Sequence, residues 1–220
     1  MSSHDSPSTR DHLLEVAGRL FAAHGLDGVG TRAITAAAAV NLGAIHYHFG
    51  TKQDLYLAAF RHVLQDFPDR SLARLYDAHI VPARGRGQLA QGILRLLERL
   101  IGDLLAPREP RWHIDLLMRE LVQPSSARQL LIDELFVPDH RLWCDIYRQA
   151  KPQGTALEAH LWAFTHSSMI IFHLAVPDPV RQLLGDDGDP GQEDYVHHVI
   201  RHTARMMIAA VDLPLPKELR

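Results

Sequence analysis

The chain has 220 residues, with 23 Lys and Arg against 26 Asp and Glu, for a formal net charge of −3. At 46% hydrophobic and 22% charged it can bury a real core over one or two domains, which excludes a disordered tail or a fibre. A single cysteine, Cys144, excludes an internal disulfide framework and fits a reducing compartment, and the near-neutral charge taken alone argues against nucleic acid as a partner.

Residues 1–8 are polar and expected to be disordered. They carry neither a basic n-region nor an apolar h-region, so no signal peptide is expected and a cytoplasmic location follows. The longest apolar run, Met169 to Val176, contains His173 and falls well short of the roughly 20 residues that span a bilayer, so no membrane partner is expected. Apolar residues recur at helical spacing almost everywhere and alternating β-branched runs are absent, which predicts an all-α protein. A first helix is expected from about Arg10 to His24, with Leu13, Leu14, Ala17, Leu20 and Phe21 on one face and Gly25 as its stop. Thr31 is the expected N-cap of a short helix running to about Ala39, and a third helix should run from Gly43 to Phe49 and end at Gly50. Thr51-Lys52-Gln53-Asp54 has the pattern of a capping box and opens a fourth helix that should break or kink at Pro68. Longer helices are predicted over about 69–80, 86–105, 111–122, 126–151, 155–176 and 192–211, separated by prolines, with a kink at Pro138. Gly185–Gly191 lacks the ligand spacing of a calcium loop and reads as a solvated turn.

The informative stretch is 31–52. Two short helices joined by a turn at Val40-Asn41-Leu42 make a helix-turn-helix, with Ile34, Ala37, Val40 and Ile45 as its small core. The order Leu20-Phe21-Ala22-Ala23-His24-Gly25, then Thr31, then Ile45-His46-Tyr47-His48-Phe49-Gly50-Thr51-Lys52-Gln53-Asp54-Leu55, resembles the N-terminal domain of TetR-family transcriptional regulators over about residues 9–60. Leu117-Met118-Arg119-Glu120-Leu121, Pro124-Ser125 and Pro138 resemble the C-terminal domain of the CecR-like branch.

The resemblance implies a helix-turn-helix domain at 9–52, a connecting helix at 52–67, and an effector-binding and dimerisation domain at 68–220. It implies double-stranded operator DNA, a small-molecule effector and a second copy of the chain as partners, and no cofactor. Carried onto this sequence, the DNA-facing set is Thr31, Arg32, Thr35, Leu42, Gly43, Ala44, His46, Tyr47, His48 and Lys52. Thr31, Arg32, Tyr47, His48 and Lys52 are the expected backbone contacts, and His46 is the hydrogen-bonding side chain among the base-facing residues. The family usually has Gly where Ala39 stands; a left-handed backbone there would cost Ala roughly 1 kcal/mol relative to Gly.

In the second domain an effector cavity and an ordinary core have the same composition. The candidate lining is His113, Leu117, Met118, Leu121, Trp143, Tyr147, Phe164, His166, Ser168 and Phe172. The last two long helices carry apolar residues on more than one face, and Leu161, Phe172, Val199, Thr203, Met206 and Met207 are candidates for a dimer interface. Of 15 His, His198 and His202 share a helix face with Asp194 one turn earlier, an alternative metal-sensing set, although no metal site is expected. No nucleophile with a positioned base and no phosphate-binding Gly loop supports an enzyme. Residues 1–52 hold Arg10, Arg19, Arg32 and Lys52 against Asp5, Asp11, Glu15 and Asp27, four minus four, so DNA binding has to rest on a few placed contacts and a shallow salt slope. Protonation of His46 and His48 in the ordinary histidine range would add charge to that face.

Overall fold

The computed structural model describes residues 8–65, 71–105, 110–190 and 192–220, and among them there is no β-strand. The described helices divide between two compact units whose segments interleave along the chain. The first unit holds α1 (Thr9–His24), α2 (Thr31–Ala37), α3 (Gly43–Phe49) and α4 (Lys52–Gln65). It also takes in α7 (Trp112–Val122) and α8 (Arg128–Leu131), so the helix-turn-helix belongs to a larger body than 9–52. The second unit holds α5 (Leu72–His79), α6 (Arg86–Leu105), α9 (Val137–Ala150), α10 (Ala156–Ala175), α11 (Pro177–Leu184) and α12 (Glu193–Ala210).

In the first unit Ser8 caps α1 by accepting from the Asp11 N–H at 3.2 Å, while the rest of the expected N-terminal disorder lies outside the described residues. Leu13, Leu14, Ala17 and Phe21 are buried as the periodicity requires. Phe21, Tyr56 and Phe60 stack edge to face in a row. The close approach of α7 to α1 depends on Gly18, where a methyl group would stand 2.4 Å from Trp112 Cζ3. Polar bonds then fix the pair. The Trp112 indole donates to Glu15 Oε1 at 3.1 Å, and Arg119 donates to the carbonyls of Ala22 and Ala23 at 2.9 and 2.8 Å. Those carbonyls are among the last of α1, which a helix leaves unsatisfied, and a cation there also meets the negative end of the helix dipole.

In the second unit α6 is buried along Leu89, Ile93, Leu96, Leu97 and Ile101, and α12 packs along it. The pair α9–α10 packs beside them, and the Trp162 indole donates to the Met207 carbonyl at 2.9 Å. A full capping box at Thr155 and Glu158 opens α10. The helix predicted over 126–151 is divided: α8 ends at Leu131, a π-helical turn runs from Ile132 to Phe136, and α9 restarts with Pro138 in its first turn. Proline has no N–H to continue the ladder, and the π-helical turn just before Pro138 takes up that interruption while the helical path continues. The expected break at Pro68 lies outside the described residues. Pro177 and Pro179 mark a gap in the sequence pattern, but they are the first and third residues of α11, where the first turn of a helix tolerates proline. No helix among the described residues is long and apolar enough to cross a membrane.

Candidate nucleic-acid interface

Thr51 and Asp54 set the start of α4 with the reciprocal bonds of a capping box, Asp54 N–H to Thr51 Oγ1 at 3.1 Å and Thr51 N–H to Asp54 Oδ2 at 3.2 Å. The turn after α2 is a Schellman motif. The Ala39 N–H donates to the Ala36 carbonyl at 3.2 Å and the Val40 N–H to the Thr35 carbonyl at 3.0 Å. Ala39 is the left-handed residue this motif needs, with φ of +53°. Ile34, Ala38, Ala44 and Ile45 are buried behind the turn, so α2 and α3 share one small core. Of the core expected from sequence, Ile34 and Ile45 hold, Val40 is half-buried and Ala37 is exposed.

The outward face follows from that packing. Leu42, Gly43, His46 and Tyr47 are exposed, and Tyr47 stands out at 84% exposure. Its ring meets His48 edge to face at 4.8 Å. His46 Nδ1 lies 3.0 Å from the Gly50 carbonyl and donates to it, which leaves Nε2 facing outward from that bond. A groove runs over Ala39, Val40, Gly43 and Ala44, with Tyr47 and His48 along it and Thr9 at its end.

Four of the expected DNA-facing residues, Thr35, Ala44, Thr31 and Lys52, have places within the fold itself. Thr35 is 4% exposed, and its hydroxyl donates back to the carbonyls of Thr31 and Arg32, so it belongs to the core of the turn. Ala44 is also buried, on the face of α3 that meets α2. Thr31 is the first helical residue and not the cap; Gly30 is the cap and supplies no side chain. Lys52 is half-buried and donates to the carbonyls of Leu26 and Val29 at 2.8 and 3.1 Å, which ties down the α1–α2 corner. Arg19 pairs with Glu15 and Arg10 sits over the Phe49 ring at 5.1 Å. Among the described cations of residues 1–52, only Arg32 is exposed with no intramolecular partner.

The expected effector-lining residues divide between the units. His113, Leu117, Met118 and Leu121 are on α7 in the first, whereas Trp143 and Tyr147 on α9 and the α10 residues are in the second. Within the second unit Trp143, Tyr147, Trp162 and His166 form an aromatic cluster, with Trp143 and His166 ring centroids 4.1 Å apart. His166 is 6% exposed, its nitrogens have no hydrogen-bond partner, and burial pushes its pKa down to about 3. Phe164 and Phe172 are more than half exposed and Ser168 is exposed too, so they lie on an outward stripe of α10 with Leu157 and Leu161, not on an inner wall. Of the expected dimer residues, Leu161, Phe172 and Met206 are outward; Val199, Thr203 and Met207 are buried on the side of α12 that meets the unit's own core. Asp194, His198 and His202 do not converge: His198 Nδ1 donates to the Asp194 backbone carbonyl at 2.7 Å, and both histidines are exposed.

A short helix held by a tight turn with its polar face outward, in a chain whose second unit is helical among the described residues, defines a helix-turn-helix protein. Residues 13–59 match the model of the bacterial regulatory proteins of the tetR family, and residues 89–211 match the C-terminal domain of the HTH-type transcriptional dual regulator CecR. The chain belongs to the TetR family. It is 35% identical over 96 residues to the HTH-type transcriptional repressor AcnR of Corynebacterium glutamicum, covering 43% of this chain and 46% of that protein. It is 28% identical over 134 residues to the dual regulator CecR of Shigella flexneri, covering 60% and 59%. The matches thus span about half the length of these relatives. The fold is shared with AibR, solved in complex with isovaleryl coenzyme A and operator DNA, at a TM-score of 0.65 and 16% identity over 90% of this chain and 97% of that one. It is also shared with the ketosteroid transcriptional regulator KstR2 of Mycobacterium tuberculosis, at 0.60 and 16% over 95% and 97%.

Proposed function

We propose that this chain is a homodimeric transcriptional repressor that binds a palindromic operator and is released by a small molecule held in its second unit. The observation that carries the DNA-binding part is the outward face of α3, where Tyr47 stands exposed between His46 and His48 on a helix locked by the Schellman turn. Leu42, Gly43 and His46 would meet bases in the major groove, and Tyr47, His48, Arg32 and the first turn of α2 would meet phosphates. Membership of the family, and relatives that are a repressor and a dual regulator, support regulation over catalysis.

Dimerisation rests on α10, whose residues Leu157, Leu161, Phe164 and Phe172 repeat at helical spacing and are all more than half exposed. With Met206 of α12, also exposed, this stripe suits an isologous contact with a second copy. Two such copies would set their recognition helices about one DNA turn, roughly 34–36 Å, apart. For the effector, His166 and Thr203 are buried polar groups without partners, each one turn along its helix from the Trp162–Met207 bond. They are the polar anchors we assign to an effector, next to the ring cluster of Trp143, Tyr147 and Trp162. The effector needs to favour one state of the protein by only about 1–3 kcal/mol.

The test is selection of operator fragments from random DNA with the full chain, followed by binding titration of wild type and Tyr47→Ala. A palindromic consensus, with binding weakened in the variant while the dimer persists in light scattering, supports the reading. Absence of DNA binding at low salt, or a monomer, refutes it.

A further inference from the structure

Outside the nucleic-acid face, three donor side chains converge on the α9–α10 pair. His140 and Cys144 are one turn apart on α9, and His160 comes from α10. His140 Nε2 and His160 Nδ1 are 2.7 Å apart, and Cys144 Sγ lies 3.6 Å from each. The two imidazole planes are 5° apart with centroids 5.0 Å apart, so the rings meet edge to edge through those nitrogens, and Phe164 stacks on His140 at 4.8 Å. Cys144 is buried at 2% exposure while His160 is exposed, so the group has a dry floor and an open side.

We propose that His140 Nε2, Cys144 Sγ and His160 Nδ1 bind a divalent ion of the zinc class. Tetrahedral zinc holds nitrogen at about 2.0–2.1 Å and thiolate sulfur at about 2.3 Å, which puts two nitrogens roughly 3.3 Å apart and sulfur roughly 3.6 Å from each. The two sulfur–nitrogen distances already have that value, and the two nitrogens need to part by about 0.6 Å as the rings tilt to aim both lone pairs at the ion. One thiolate with two imidazoles is a donor set that selects zinc, cobalt or copper over magnesium or calcium. On binding, the hydrogen shared by the two facing nitrogens moves, by exchange with solvent, to the far nitrogen of its own ring; the ion then accepts a lone pair from each neutral imidazole, the thiol releases its proton to solvent, and no electron is transferred. Three protein donors leave a tetrahedral ion one position for water or another ligand. A second close group, Glu15, His62 and His113, is a weaker candidate, because Glu15 Oε1 already accepts from Arg19 and Trp112.

The experiment is titration of the reduced, untagged full chain with cobalt(II), followed by thiolate-to-cobalt charge-transfer absorption. That band reports sulfur ligation and is blind to adventitious binding by the other histidines. One equivalent per chain should saturate it, and zinc should displace it. Cys144→Ser should abolish it. The exposed position of His160 makes His160→Gln safe for folding. That variant should weaken cobalt binding by about 100-fold, since loss of even an outer partner of a metal ligand costs about 10–100-fold. No charge-transfer band in the wild type, or an undiminished band in His160→Gln, overturns the proposal. The readout does not involve DNA, so it stands or falls separately from the regulatory reading.

Discussion

The Tyr56 hydroxyl donates to the carboxylate of Glu120 at 2.6 Å, joining α4 to α7 through a pair that is almost wholly buried. The same carboxylate accepts from the Ser125 N–H at 2.8 Å and from its hydroxyl. This accounts for the Met118-Arg119-Glu120 and Pro124-Ser125 pattern in physical terms: Arg119 grips α1, and Glu120 gathers α4 and the loop after α7. A hydrogen bond to a charged group is worth about 1.5–3 kcal/mol, so a double-mutant cycle of Tyr56→Phe and Glu120→Gln, read by urea denaturation, should give a coupling in that range. Additive effects would show that the pair contributes nothing of its own.

Ala39 occupies a left-handed position with φ of +53°. Replacing it with glycine should raise stability by about 1 kcal/mol, because the Cβ clash with the following carbonyl is relieved. Chemical denaturation measures this, and operator affinity should be unchanged or slightly higher.

Arg32 and Lys52 should behave differently on substitution. Arg32→Ala should weaken binding to all DNA sequences and lower the salt slope by about 1 without affecting stability. Lys52→Ala should instead lower the melting temperature, because it frees the carbonyls of Leu26 and Val29. Binding titrations at several salt concentrations, alongside thermal melts, separate the two.

His166 predicts acid sensitivity. Burial lowers its pKa from 6.5 to about 3, so between those values the unfolded chain binds a proton that the folded chain refuses. The contribution to stability is fully present above 6.5 and falls by about 1.4 kcal/mol per pH unit as the solution is acidified. His166→Phe, which keeps a ring against Trp143, should flatten that slope in denaturation curves between pH 4 and 7.

Much of the fold was legible because periodicity and punctuation agreed. Helices α3 and α6 begin and end where Gly, Pro and the apolar spacing put them. Side-chain roles were less legible, because they depend on which face of a helix is covered. Thr35 looked like a polar contact but closes its own turn, and Phe164 looked like a cavity wall but faces outward. The histidines show the same limit. Asp194, His198 and His202 have chelating spacing in sequence but do not converge, whereas His160 meets His140 and Cys144 only through the packing of two helices. The four-residue spacing of His140 and Cys144 was the one local signal available.

The corner between α1 and α2 is closed by two cations from elsewhere in the unit. Arg119 of α7 holds the carbonyls of Ala22 and Ala23, and Lys52 of α4 holds those of Leu26 and Val29. This makes an ionic clasp on main-chain oxygen. A substitution scan of the corner's own side chains would not register it, since those four residues contribute only backbone atoms. The clasp is visible to mutation solely from the cation side, and its partly buried, paired geometry should make it persist at salt concentrations that screen the protein's contacts with DNA.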